Sequence, residues 1–155
     1  MLPNRIKIAL SAIVCAALLC VSLCSCAENP FAESGSGEKA PLPQTTGNFS
    51  VYDAVSGSFY LDVTTSFDGE TVTDITKKLL SENDIIFVTK NTGFGLYLAR
   101  IGEKGEFDDG ASSGWCFYVR KAGEESYTRS PTGGSNVIPA EGDAVLWVYK
   151  KNSFE

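Results

Sequence analysis

The longest uncharged, mainly apolar run of the chain lies near its start, from Ile8 to Leu23, and follows two basic residues, Arg5 and Lys7. A basic start, an apolar centre and small residues at the end are typical of a secretory signal peptide. As a helix the run would rise about 24 Å, which is less than the roughly 30 Å of a bilayer's hydrocarbon core. We therefore predict a signal peptide over residues 1–25, and an uncleaved membrane anchor is the alternative.

The end of this run, Leu23-Cys24-Ser25-Cys26, resembles a lipobox. That motif has an aliphatic residue three positions before the cysteine, a small residue directly before it, and a thiol that accepts diacylglycerol. The resemblance implies that Cys26 is lipidated. We therefore expect an extracytoplasmic protein that is anchored to the bacterial membrane by lipid at Cys26, with the membrane as its first partner.

After the cysteine the pattern changes to a polar stretch with few large apolar residues. Residues 27–47 are rich in Pro, Gly, Ser, Thr and Glu, and Phe31 and Leu42 are the only large apolar residues among them. Such a segment buries too little surface to offset the entropy lost on ordering. We predict a disordered, flexible linker over residues 26–57 and one folded domain over residues 58–155.

The start of this domain combines a strand pattern with a helix pattern. Phe59, Leu61 and Val63 alternate with polar residues, which predicts a half-buried strand. A helix is predicted from Thr73, the expected N-cap, to Asn83, because the apolar residues that follow Thr73 recur at helical spacing. Two short strands are predicted after it, at residues 85–89 and 96–101.

Two later strands carry apolar residues on both faces. In residues 115–121, Trp115, Phe117 and Val119 share one face, and Cys116, Tyr118 and Arg120 share the other. In residues 144–150, Val145, Trp147 and Tyr149 lie on one face, and Ala144, Leu146 and Val148 on the other. This last strand is apolar on both sides, so it is predicted to be internal, with cover above and below. The order of elements predicts an α+β domain: a small mixed β-sheet, β-grasp-like, with one packed helix.

Composition and charge exclude several classes of function. The chain has no histidine, which excludes a Ser-His-Asp site and a histidine-based zinc site. Of its 13 basic residues, Arg5 and Lys7 precede Cys26, so the remainder carries 11 basic and 19 acidic residues, a net charge of −8. An acidic protein repels phosphate backbones, so we expect no nucleic-acid partner.

Two minor chemistries stay open as alternatives. An acidic loop, Glu103, Glu106, Asp108 and Asp109, could hold calcium, and its last two carboxylates could form a glycosidase pair. The spacing does not follow the EF-hand pattern, and adjacent carboxylates tend to point apart, so we expect no catalytic residue, no metal site and no catalytic cofactor. After removal of the signal peptide and lipidation, Cys116 is the one cysteine left in the domain, and we predict that it is a small buried residue.

Several stretches, in this order and spacing, resemble the transcobalamin-like C-terminal domain. They are Glu70–Ile75 at the helix start, Gly105–Gly110 with Ser113–Trp115, and Ala140–Asp143 leading to Trp147–Tyr149. That family is a β-rich module with one helix, found in animal cobalamin carriers and in bacterial surface lipoproteins. The resemblance implies a ligand-recognition module rather than an enzyme, with cobalamin possible as a bound ligand.

The candidate ligand-binding residues are aromatic. The resemblance points to Trp115, to the loop from Ala122 to Tyr127, and to Tyr97, while Tyr118 joins them because flat amphipathic rings stack on sugars and corrins. We therefore expect Tyr97, Trp115, Tyr118 and Tyr127 to bind a corrinoid or a glycan, with a transporter or envelope protein as a further partner. The alternative is an envelope protein-interaction or adhesion module without a small-molecule ligand.

Overall fold

A computed structural model describes residues 41–93 and 95–154, so the predicted signal peptide, Cys26 and the first part of the linker lie outside the described residues. The described part is a mixed α+β domain, mostly sheet, with one α-helix, and this confirms the predicted class. Its strands form two sheets, where one was expected. In chain order the elements are β1 (Phe49–Asp53), β2 (Ser58–Val63), α1 (Val72–Glu82), β3 (Phe87–Thr92), β4 (Gly95–Ile101), β5 (Lys104–Gly105), β6 (Gly114–Arg120), β7 (Thr128–Arg129), a short 3-10 turn (Gly134–Asn136) and β8 (Ala144–Lys150).

The larger sheet has the strand order β2-β1-β8-β6-β7, and the smaller one is β3-β4-β5. Within the larger sheet β1 runs parallel to β8, and its other pairs are antiparallel. Strand β3 begins at Phe87, two residues later than predicted. No helix within the described ranges is long and apolar enough to span a membrane.

Strand β1 corrects the predicted domain boundary at residue 58. It lies between β2 and β8 in the middle of the sheet, and Phe49 and Val51 are fully buried in the core. The polar members of the strand also have partners, since the Ser50 hydroxyl donates to Asp62 at 2.7 Å. The prediction was wrong because a five-residue strand next to a Gly- and Thr-rich stretch carries too few apolar positions to stand out.

Helix α1 begins earlier than predicted. Its N-cap is Thr71, whose hydroxyl accepts from the Asp74 backbone N–H at 3.2 Å and donates to the Asp74 carboxylate at 2.7 Å. Thr73, the predicted cap, is buried inside the first turn. The predicted apolar stripe is confirmed, because Leu79 and Leu80 both pack into the core.

The alternation predicted for β2 fails at one residue. The pairing of β1 with β2 shifts between Val51 and Tyr52, so one additional β2 residue is accommodated. As a result Tyr60 packs against the core, while Phe59 is 39% exposed and stacks on Tyr52 with 4.9 Å between ring centroids.

Strands β6 and β8 have the two apolar faces that their alternation predicts. The first face, Trp115, Phe117, Val145, Trp147 and Tyr149, joins α1 in the main core. The second face, Cys116, Tyr118, Leu146 and Val148, forms a smaller cluster. It is covered by Leu42, Tyr52 and Tyr127, and Leu42 belongs to the predicted linker. We call residues 41–47, which precede β1, the cover segment.

Candidate functional site

A cleft of about 220 Å³ opens where β4 of the smaller sheet meets β6 of the larger one. We call it the seam cleft. Its walls come mainly from three parts of the chain: Leu96 and Tyr97 of β4, Trp115 to Phe117 of β6, and Arg129, Ser130 and Thr132 to Gly134 in and after β7. Trp147 of β8 also lines it, so both tryptophans of the sequence border this one cavity.

Tyr97 lies against the first residues of β6. Burial raises the pKa of its phenol above the usual value of 10.0, and the Trp115 backbone N–H opposes this shift by donating to the phenol oxygen. The hydroxyl is therefore neutral at physiological pH. A Cβ atom at Gly114 would come within 3.0 Å of that oxygen, so the absence of a side chain there lets the ring approach the strand.

Trp115 is first of all a core residue. It is 3% exposed, its indole N–H donates to the Lys104 carbonyl at 2.9 Å, and its ring packs 5.3 Å from that of Tyr149. Because the residue is almost fully buried, little of its ring is accessible from the cleft. The structure therefore gives Trp115 a wall position rather than an open stacking platform.

Two backbone groups lie on the outer edge of β6, in residues that line the cleft. In an antiparallel pair, only every second residue of β6 forms backbone hydrogen bonds to β8. Trp115 and Phe117 belong to the other set, so their N–H and C=O groups point away from β8. The Phe117 carbonyl accepts from the Ser130 N–H at 3.0 Å. Within the described ranges, the Trp115 C=O and the Phe117 N–H have no hydrogen-bond partner. We call these two groups the open backbone pair.

Arg129 supplies the charge of the cleft. Its guanidinium group donates through Nη2 to the Ser153 carbonyl, and no described carboxylate lies within ion-pair distance of it. Tyr97, Trp115 and Arg129 also border an adjoining hollow of about 310 Å³. Glu106 lines this hollow, but it forms an ion pair with Lys90.

Two phenylalanines are exposed on the rim of the hollow. Phe107 is 63% exposed and Phe154 is 79% exposed. Phe107 has a φ of 70°, which a non-glycine residue adopts at a cost of about 1–3 kcal/mol. The fold thus holds an apolar ring in solvent next to the seam cleft.

The other two predicted site residues lie on the opposite side of the sheet. Tyr118 is 1% exposed in the second-face cluster, where burial raises the pKa of its phenol to about 12. The Tyr127 hydroxyl is 3.1 Å from that of Thr45, and the Arg120 guanidinium lies 5.2 Å from its ring centroid. The structure therefore separates the four predicted residues into two pairs, and only Tyr97 and Trp115 line the cleft.

Three of the four carboxylates of the acidic loop form ion pairs. Arg100 pairs with Asp108 at 3.2 Å, Lys104 pairs with Asp109 at 2.6 Å, and Glu106 pairs with Lys90. The residues that the structure describes contain no group of three His, Cys, Asp or Glu side chains placed to hold a metal ion. Cys116 is buried, as predicted.

Sequence reasoning missed Arg129 and the turn from Ser130 to Gly134. This region has no periodicity, and its two-residue strand β7 is too short to predict. The one usable signal was the cluster of Pro131, Gly133 and Gly134, which marks a tight chain path without showing what that path encloses.

No protein-family model matches the chain, and no curated protein matches it significantly. The resemblance to the transcobalamin-like C-terminal domain therefore stays a prediction.

Proposed function

We propose that this protein is a lipid-anchored extracytoplasmic module that binds a corrinoid or a carbohydrate in the seam cleft. The observation that carries the proposal is the combination, in one concave site, of aromatic walls with the open backbone pair. Ligand sites in proteins typically join an apolar lining to a few convergent polar groups. A backbone donor and acceptor without protein partners favour a ligand that supplies both.

The size of the cleft supports partial enclosure of a ligand. A volume of about 220 Å³ is below the roughly 300–1,000 Å³ that is typical of sites that enclose a drug-sized molecule. One ring or one side group of a larger ligand would enter. This agrees with a capping role, which the family resemblance implies, and the proposal assigns binding rather than catalysis.

Three further assignments belong to the same proposal: cleavage after residue 25 with lipid on Cys26, a β-grasp-like topology, and membership of the transcobalamin-like family. They are supported by the lipobox-like sequence, by one helix packed on a mixed sheet, and by the spacing of the quoted motifs. A transporter or envelope protein that receives the ligand would be the partner.

The test is calorimetry on the full lipoprotein in detergent micelles. The probes are cyanocobalamin, cobinamide and a panel of oligosaccharides. Thr132 is exposed on the cleft rim, so Thr132→Trp would fill the cleft without disturbing the core. The matched control is Thr64→Trp, at an exposed position just after β2 that lines no part of the cleft.

We expect at least one probe to bind, with affinity reduced at least tenfold by Thr132→Trp and unchanged by Thr64→Trp. Binding that Thr132→Trp leaves intact would place the ligand elsewhere and overturn the proposal. The absence of heat with every probe would overturn it as well.

A second candidate function, protein interaction, is favoured by the edge of the smaller sheet. Strand β3 is an edge strand, Val88 on it is 44% exposed, and Ile86 just before it is 73% exposed. Unpaired strand edges with apolar side chains recruit other chains. Co-purification of an envelope protein that is lost with Val88→Lys and retained with Thr132→Trp would favour this candidate over ligand binding.

A further inference from the structure

We infer that the ligand of the seam cleft is an acidic pyranose, a hexuronic acid unit of a glycan, and this inference rests on the proposed function. Two neighbouring hydroxyls of the sugar would meet the open backbone pair, and its carboxylate would meet Arg129. The ring would lie against Tyr97. Each part of this assignment follows from a separate feature of the cleft.

The open backbone pair favours a sugar over a peptide. Its two groups are isolated along the strand, because the Phe117 carbonyl is taken by the Ser130 N–H and the Trp115 N–H faces the Tyr97 hydroxyl. A peptide strand added to β6 could form two main-chain hydrogen bonds and no more, whereas strand addition gains its affinity from a continued ladder. A hydroxyl both donates and accepts, so two adjacent hydroxyls on one ring satisfy a lone C=O and a lone N–H.

The volume favours a single ring over a corrin. The cleft of about 220 Å³ and the adjoining hollow of about 310 Å³ lie in succession along Tyr97, Trp115 and Arg129. A corrin macrocycle is too large for either, so only its side groups could enter. An extended glycan, in contrast, could place one ring in the cleft and the next ring beside Phe107 in the hollow.

Arg129 favours an acidic sugar. It is the one charged residue among the described residues that line the cleft, and no carboxylate of the described chain neutralises it. Its bond to the Ser153 carbonyl holds one end of the guanidinium group in place. The planar fork of arginine matches a carboxylate through two parallel hydrogen bonds. A neutral sugar would leave this fork without a charged partner.

Calorimetry with the full lipoprotein tests the inference, using trigalacturonate as the acidic probe and cellotriose as the neutral one. The variants are Arg129→Gln and, as a matched control, Arg120→Gln. Arg120 lies on the paired strand, its guanidinium packs over Tyr127, and it lines no part of the cleft. Thermal unfolding of each variant checks that it is folded.

We expect trigalacturonate to bind on the order of tenfold more tightly than cellotriose, because a hydrogen bond to a charged partner exceeds a neutral one. Arg129→Gln should remove this preference, and Arg120→Gln should change it less than twofold. The wild-type affinity for trigalacturonate should fall as salt rises from 0.02 M to about 0.15 M.

Equal binding of both trisaccharides, or an unchanged preference in Arg129→Gln, would overturn the inference and leave the proposed function intact. Tighter binding of cobinamide or of a peptide than of trigalacturonate, lost with Thr132→Trp, would also overturn the inference and leave binding in the cleft intact. The absence of binding with every probe would overturn both proposals.

Discussion

The two faces of the β6–β8 pair are covered in different ways. The first face packs under α1, and the cover is fixed by shape and by hydrogen bonds such as that from the Trp147 indole to the Thr76 hydroxyl at 2.9 Å. The second face is covered by Leu42 and two tyrosines, and Leu42 lies in a segment without helix or strand. The comparison shows that a polar, Pro- and Gly-containing segment can complete a core when a few of its atoms are anchored.

The anchors of the cover segment are hydrogen bonds rather than apolar area. The Asp62 carboxylate accepts from the Thr46 N–H at 2.9 Å, from the Thr46 hydroxyl at 2.7 Å and from the Gly47 N–H at 3.1 Å. Further along, the Thr45 hydroxyl meets that of Tyr127. The segment is thus tied to β2 at one end and to the β6–β7 hairpin in its middle.

A leucine-to-alanine substitution in the cover of each face should give the largest expected difference in unfolding free energy. Leu80→Ala removes a fully buried side chain from the first-face cover and should cost about 3 kcal/mol of unfolding free energy. Leu42→Ala removes a partly buried one from the second-face cover and should cost about 1 kcal/mol. Urea denaturation of both variants beside the wild type measures the two values.

Two other results of the Leu80→Ala and Leu42→Ala comparison would be informative about the cover segment. A cost near zero for Leu42→Ala would mean that residues 41–47 form a free linker, as the sequence predicts. Equal costs would mean that the two covers are equally rigid. Either result would contradict the contrast drawn between the faces.

The regular elements were predictable because their signals are periodic. Strand β8 alternates over seven residues, and α1 repeats its apolar residues at helical spacing, so a local pattern suffices for both. The cover segment has no such pattern. Gly47, for example, counts toward a flexible composition, but a Cβ atom there would lie 2.0 Å from the Val63 carbonyl oxygen. The glycine permits a close approach, which composition does not show.

The candidate site was predictable only in part, and for the same reason. The family resemblance pointed to Tyr97 and Trp115, and the structure brings these two together. The resemblance also pointed to the loop that ends at Tyr127, and aromatic character pointed to Tyr118, because neither signal shows which face of a sheet a ring occupies. Arg129 reaches the cleft through the strand pairing of β6 with β7, and such long-range pairing has no local signal.

A pH titration gives a smaller effect that reports on the cover segment. Burial raises the pKa of Asp62, but hydrogen bonds from Ser50, Thr46 and Gly47 outweigh this and lower it from 3.8 to about 2. A lowered pKa in the folded state stabilises the protein above the unfolded value, and this stability is lost as pH falls from about 4 to about 2. Because Asp62 is partly exposed, we expect this pH-dependent stabilisation to be about 1 kcal/mol.

The variant for this titration is Asp62→Asn. Its deficit in unfolding free energy relative to the wild type should shrink by about 1 kcal/mol between pH 5 and pH 2. Glu125→Gln, at an exposed position of the β6–β7 hairpin, is the control and should follow the wild-type profile. A deficit for Asp62→Asn that is independent of pH would mean that the carboxylate does not hold the cover segment through its charge.

The smallest expected effect concerns one hydroxyl on the second face. Tyr127→Phe keeps the ring over the cluster and removes the contact with Thr45, so it should cost about 0.5–1 kcal/mol. Tyr52→Phe is the matched control, because the Tyr52 ring packs on the same cluster, and it should change stability by less than about 0.5 kcal/mol. Urea denaturation of the two variants measures the difference. If Tyr127→Phe costs no more than Tyr52→Phe, the Thr45 contact does not hold the cover segment, and Asp62 with Leu42 must do so alone.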